Sequence, residues 1–537
     1  MKLGRIAIAA ALAAMLAVTG CAAGGSNGGG AFDWPEDGEP GGAGNLVIAG
    51  PGTELATIEP GEAGSAGHAA PVLRNVIQSL LTRNTETNEI EPLLATEWEA
   101  VDDLTWQFTL RDDVTWHDGT PFNAETAAAA LTYMWNPEFP YSGNFVTGNA
   151  TFSAADEYTL EVKLDEPDSL FPARMTIIGL PSPTQIAEAP DTLTSNLIGT
   201  GPYKFVSWTP GTDLKLELNT DYFDAKPGMY DTVDWVFREE SQVRAQLVQT
   251  GEANLAIDTT PEQCAGAESD TATCVEYTTS GFRFIRPDYY NQEVLGDPRI
   301  RQAIAYAVDR EGITSAFISP SSTVADNPGP VGMVGFSDDV ETYAYDEDKA
   351  KELVAEAKAD GVNTDLPLTV KYRTDFFPGI DDIAQTVVTN LNAVGLNAQV
   401  QAMPDAEGLA EYRQGIEPNS IDTITPDRGN IWIATTSNDL LDFFQPGDTL
   451  LSCTGRFSVY CNEDFQAEYE AALPLIGDER QEAFADLWKK FYESEVPILP
   501  IGYAVNQLVV GSTTQITPRS DGFLPLDEAV GAHPTDQ

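Results

Sequence analysis

Apolar and polar residues alternate in repeated short runs along the first half of the chain. Trp106, Phe108 and Leu110 form one run, Tyr158, Leu160, Val162 and Leu164 a second, and Leu214, Leu216 and Leu218 a third. A period of two predicts strands with one buried face. Between the first two runs, Asp118-Gly119-Thr120-Pro121 predicts a turn, and Asn123 is placed to cap a helix running through Ala127 to Trp135.

The second half changes period. Asp297-Pro298 supplies an N-cap and a first-turn proline, and Ile300, Ala303, Ile304, Ala307 and Val308 fall on one helical face. Leu368, Val370 and Tyr372 alternate as a strand. Ile380, Ile383, Ala384, Val387, Val388, Leu391 and Val394 then make a helical stripe closed by Gly395, and Leu396 to Val400 predicts another strand. Strand, helix, strand in this order makes a βαβ unit and hence a parallel sheet. Further helices are expected over Asp348–Lys358, ending near Gly361, and over Arg480–Glu493 before Pro497.

The amino end follows a different pattern. Lys2 and Arg5 precede an apolar run from Ile6 to Val18 that is too short to span a bilayer, the form of a secretory signal peptide. It ends Val18-Thr19-Gly20-Cys21, which resembles the site at which bacterial lipoproteins are lipidated on cysteine and cleaved before it. Cys21 is therefore expected to carry a lipid anchor to the membrane. Ala22 to Gly44, rich in Gly, Ala, Ser, Pro and acids, cannot bury enough apolar surface to fold and predicts a tether. Beyond Val18 no apolar stretch has membrane-spanning length.

The 537 residues suffice for two or three domains, and 42% hydrophobic residues indicate packed cores. A formal charge of −54 argues against nucleic acid as a partner. With Cys21 assigned to lipid, Cys264, Cys274, Cys453 and Cys461 remain, in an exported and oxidising setting. Short loops close readily, which favours Cys264–Cys274 and Cys453–Cys461; no CxxC spacing supports a metal site, and no cofactor is implied. A secreted hydrolase is the rival class. It would have to draw on His68, His117 or His533, the three histidines present, without any HExxH, GxSxG, SxxK or P-loop pattern. Paired carboxylates remain as a hydrolytic alternative among 83 acids.

Several motifs occur in a fixed order: Leu93-Leu94-Ala95-Thr96-Glu97-Trp98, Trp106 to Arg111, Trp116-His117-Asp118-Gly119-Thr120-Pro121-Phe122, Gly199 to Phe205, and Arg299 to Arg310. Together they resemble the family 5 extracellular solute-binding proteins, the peptide- and nickel-binding group of ABC importers. The resemblance implies an α/β, two-lobed periplasmic-binding-protein type II fold with an extra domain inserted in the first lobe. It places lobe 1 at residues 45–279 plus 507–537, with the insertion at about 79–194, and lobe 2 at residues 280–506. The crossings are expected near Thr279–Gly281 and Asn506–Leu508. A monomer binding a small molecule or peptide and handing it to permease subunits, without covalent chemistry, is what such a fold implies. Oligosaccharide or another non-peptide solute is the alternative ligand.

Candidate ligand contacts follow from this placement. Arg373 stands at the carboxyl end of the Leu368–Tyr372 strand, where ligands of open α/β sheets lie, and where dipeptide-binding relatives carry a carboxylate-binding arginine. Its planar fork matches a carboxylate. Gly64, Ser65 and Ala66 make a small-residue loop after the first strand, open to close backbone approach. Trp432 offers either a stacking surface or core packing. Three residues on, where peptide-binding relatives often carry an aspartate for the ligand's α-ammonium, this chain has Thr435; Asp439 or Asp442 are possible substitutes. The Trp116–Phe122 motif, Arg299 and Arg301 are expected to be scaffold.

Overall fold

The computed structural model describes residues 39–531 apart from 52–56, 63–72, 86, 140–144, 147, 289–292, 375, 378, 413–429 and 456. Cys21, the signal-like segment, most of the tether, the Gly64–Ala66 loop, His68 and His533 lie outside the described residues.

One ten-stranded sheet organises the body. Its order is Asn397–Met403, Pro367–Arg373, Asn430–Thr436, Ala272–Pro287, Leu499–Gly511, Leu255–Ile257, Asn45–Gly50, Thr232–Phe237, Asp213–Leu218 and Tyr203–Thr209. The first three strands are mutually parallel, as the strand-helix-strand pattern requires, with Leu368 opposite Ala398 and Lys371 opposite Trp432. The helix between them, Ile380–Ala393, buries Ile383, Ala384, Val387, Val388 and Leu391, the predicted stripe.

The two central strands, Ala272–Pro287 and Leu499–Gly511, are long and antiparallel. Their register runs from Ala272–Thr278 against Val505–Gly511, breaks, and resumes at Phe282 opposite Tyr503. The break falls on Thr279–Gly281 and on Ala504 in the partner strand. Hydrophobic packing changes there too. Phe282, Phe284, Leu499, Ile501 and Tyr503 join one large cluster drawn from residues 282–503, whereas Leu508 and Val510 join a second with Leu46, Trp235 and Leu526.

A third cluster, drawn from residues 80–180, has its own four-stranded antiparallel sheet, ordered Ala95–Asp102, Thr105–Leu110, Thr159–Leu164, Ala150–Ala154. The helix Ala124–Met134 starts at a capping box: the Asn123 side chain accepts from Thr126 N–H at 3.0 Å, and Asn123 N–H donates to Thr126 Oγ1 at 2.9 Å. The Asp297 carboxylate likewise accepts from Arg299 N–H at 2.9 Å to start Pro298–Ala307.

Both favoured disulfides are present, Cys264–Cys274 and Cys453–Cys461. No helix of the described residues is long and apolar enough to cross a membrane.

Candidate functional site

Alternation along Pro367–Arg373 turns Lys371 and Arg373 to one face and Val370 and Tyr372 to the other. The buried Val370 and Tyr372 pack into the core with the Ile380–Ala393 helix. Lys371 pairs with Glu411 and lies 6.0 Å from the Trp432 ring. Two positions closer to the strand end, Arg373 lays its guanidinium over Phe376 at 3.4 Å, an attraction of the cation for the ring's negative face. Gly408 is required beside it, since a Cβ there would come within 2.7 Å of the Arg373 stem.

Arg373, Trp432 and Thr435 line a single cavity of ≈ 90 Å³, together with Phe376, Tyr412 and Phe457. Three residues distant in sequence thus converge at the carboxyl ends of parallel strands, beside the register break. Trp432 packs into the core and also lines the cavity. It is 1% exposed and packs edge-on against Tyr412 at 5.3 Å, yet it forms cavity wall, and its indole N–H meets no acceptor. Thr435 donates its hydroxyl to the Phe282 carbonyl at 3.2 Å, which ties the strand to the crossing strand and leaves no anion at this position.

The possible substitutes differ. Asp442 is clamped by Arg480 at 2.8 and 2.9 Å, and both side chains are 4% exposed, so it is a core ion pair rather than a ligand group. Asp439 has its carboxyl pushed up by burial, which disfavours the charge an ammonium would need.

Directly opposite Thr435 in the antiparallel pairing stands Arg283, which sequence reasoning did not single out. Its guanidinium lies over Phe377 at 4.6 Å. Its Nε and Nη1 are shut off from solvent and meet no acceptor among the described residues. Burial lowers its pKa to about 10. The signal available in the sequence was an arginine inside the apolar run Phe282-Arg283-Phe284-Ile285.

A larger cavity, ≈ 250 Å³, lies elsewhere, lined by Arg74, Arg83, Arg111, Arg519, Tyr222 and Asp527. Its charges are spoken for. Asp521 pairs with Arg74 at 2.8 Å and Arg519 at 2.7 Å, and although burial works to raise its carboxyl, these guanidiniums hold it far below the usual carboxylate range. Arg83 donates to the carbonyls of Asn88 and Leu440 at 2.8 and 2.5 Å.

The Trp116–Phe122 motif is a turn, with Gly119 at φ +83° and Asp118 accepting from Thr120 N–H. His117 joins it to the Gly199 motif: one ring nitrogen faces the Gly201 carbonyl at 2.9 Å and the other accepts from Gly199 N–H at 3.3 Å. Burial, which disfavours the imidazolium, lowers its pKa to about 4. Both nitrogens are engaged, so His117 is not placed to act as a base. Arg299 pairs with Asp297 and Asp360, and Arg301 with Glu495, as scaffold. Among the described residues no cluster of His, Cys, Asp or Glu could hold a metal.

Known proteins resemble this arrangement over most of its length. The glutathione-binding protein GsiB of Pectobacterium atrosepticum is 27% identical over 381 residues, covering 69% of this chain and 72% of its own. The crystal structure of the ABC transporter substrate-binding protein CtaP from Listeria monocytogenes superposes with a TM-score of 0.77 at 26% identity, over 92% of this chain and 100% of that one. The periplasmic binding protein DppA from Helicobacter pylori, in complex with the peptide STSA, superposes with a TM-score of 0.67 at 19% identity, over 92% and 98% of the two chains. The family model for bacterial extracellular solute-binding proteins, family 5, matches residues 89–450, and this chain belongs to that family.

Proposed function

We propose that this protein is the extracytoplasmic substrate-binding component of an ABC importer, and that it captures a peptide in a cleft between its lobes and delivers it to the permease. The carrying observation is the convergence of Arg373, Trp432 and Thr435 on one cavity at the carboxyl ends of parallel strands. Arg373 supplies a fork for a terminal carboxylate, and Trp432 and Tyr412 an aromatic wall. The lobes are residues 45–279 plus 507–537 and residues 280–506, with residues about 79–194 inserted in the first. The change of hydrophobic cluster at the Thr279–Gly281 break supports that division. Such a hinge lets a ligand that touches both lobes favour the closed form, which is what a membrane partner can read. Cys21 carries the lipid that holds a monomer at the membrane.

The names of the relatives support peptide as the ligand class, and DppA was crystallised with one. Thr435 in place of an acid favours a second reading, a solute without a free ammonium group. Mass spectrometry of what co-purifies with the mature chain, followed by thermal shift against peptides and oligosaccharides, separates the two. A peptide raises the melting temperature if the first reading holds, since a ligand specific to the folded state must stabilise it. A shift with oligosaccharides alone overturns it.

A further inference from the structure

Around the large cluster drawn from residues 282–503, four buried arginines each have an acid partner. Arg286, Arg301, Arg310 and Arg480 each pair with an acid, respectively Asp288, Glu495, Asp326 and Asp442, at 2.8 to 3.3 Å. Each also donates to backbone carbonyls, such as Phe457, Glu495, Ala325 and Leu473. Among the described residues Arg283 has neither, and its guanidinium rests on the face of Phe377. Acids are not scarce in this chain, which holds 83 of them against 29 basic residues. A guanidinium withdrawn from water without an acceptor costs several kcal/mol unless something repays it.

Its position indicates what does. Arg283 follows directly on the Thr279–Gly281 break and faces Thr435, which lines the ligand cavity. Phe377, beneath it, is adjacent to Phe376, beneath Arg373. The separations Arg373 to Phe376, Phe376 to Phe377 and Phe377 to Arg283, which are 3.4, 5.9 and 4.6 Å, cap the distance between the guanidiniums at about 14 Å, roughly four extended residues. We infer that Arg283 is a second anion-binding residue of the cleft, and that the ligand carries two acidic groups, one for Arg373 and one for Arg283. For a peptide this means a terminal carboxylate and an acidic side chain or second carboxylate. The inference deepens the peptide reading and rests on it for the identity of the ligand, but not for its charge.

The test is calorimetry on the mature chain with matched peptides that differ by one carboxylate, using Arg283→Gln, Arg283→Lys and Arg283→Met. Arg283→Gln is expected to weaken the dianionic peptide at least tenfold while leaving its neutral-side-chain partner within about twofold, and Arg283→Lys to recover part of the loss. Equal weakening of both peptides, or of neither, overturns the assignment. Arg283→Met is expected to raise the melting temperature of the ligand-free protein, because an uncompensated buried charge is removed; a scaffold arginine would lower it. If no peptide binds wild type, the peptide reading fails separately, and the co-purifying solute decides the charge: a dianion upholds the role of Arg283, a neutral or cationic solute ends it.

Discussion

The two cavities differ in size and in how their walls are built. The larger, around Arg74, Arg83 and Arg519, is rich in charge, but its arginines are tied to Asp521, Thr82 and main-chain carbonyls. The smaller, around Trp432, is walled by aromatic rings and by an indole N–H that meets no acceptor among the described residues, and the strand pairing sets Arg283 opposite its Thr435. Polar groups inside folded proteins normally find partners, so the exceptions carry the information. A charged cavity whose charges answer each other is architecture; a modest one with donors left open is prepared for a ligand.

That contrast can be broken most forcefully at Asp442. Asp442→Ala is expected to destabilise the fold by about 3–5 kcal/mol, since it strands Arg480 in the core, as denaturant titration would show. Normal stability with lost ligand binding would instead return Asp442 to the cleft. Arg373→Ala should do the reverse, weakening a carboxylate ligand by roughly 2–4 kcal/mol in calorimetry with little change in stability. Unchanged affinity removes Arg373 from the site.

The disulfides sharpen the comparison next. Each closes a short loop, 10 and 8 residues apart in sequence, and its removal should cost about 2.5 kcal/mol of stability. Phe457 lies inside the Cys453–Cys461 loop and lines the small cavity, so the Cys453→Ser/Cys461→Ser variant should also bind ligand more weakly. The Cys264→Ser/Cys274→Ser variant should lose stability alone. Equal binding losses would mean that neither loop is specific to the site.

The smallest effect is expected in the large cavity. Burial raises the Asp527 carboxyl, so its charge opposes folding at neutral pH. A raised carboxyl makes the fold relatively more stable as pH falls through its folded value. Asp527→Asn should therefore stabilise the protein at pH 7, and the gain should shrink in acid. Asp521, depressed by Arg519 and Arg74, has the opposite sign: its contribution is full above the ordinary carboxylate range and is lost below it. A pH titration of stability on wild type and Asp527→Asn checks both directions.

Much of this was readable in the chain. The alternation at Trp106–Leu110, the stripe from Ile380 to Leu391 and the caps at Asn123 and Asp297 are short-range patterns, and local geometry obeys them directly. The two disulfides followed from loop length, and Arg373 from its place at a strand end. The register break at Thr279–Gly281 and Ala504 was not legible in the chain, because strand pairing depends on the partner as well as on a strand's own residues.

What the chain alone did not decide is which distant groups meet. Asp442 and Arg480 are 38 positions apart, and nothing local told that acid from any other as the one to be locked in the core. Arg283 and Thr435 are opposed only because two strands chose one register, and the lack of an acceptor for Arg283 Nε and Nη1 among the described residues is a property of everything packed near it. Periodicity is written within a few residues and so determines elements; the balance between buried charge and available partner is set by the whole assembly, and only the tertiary structure revealed where that balance was left open.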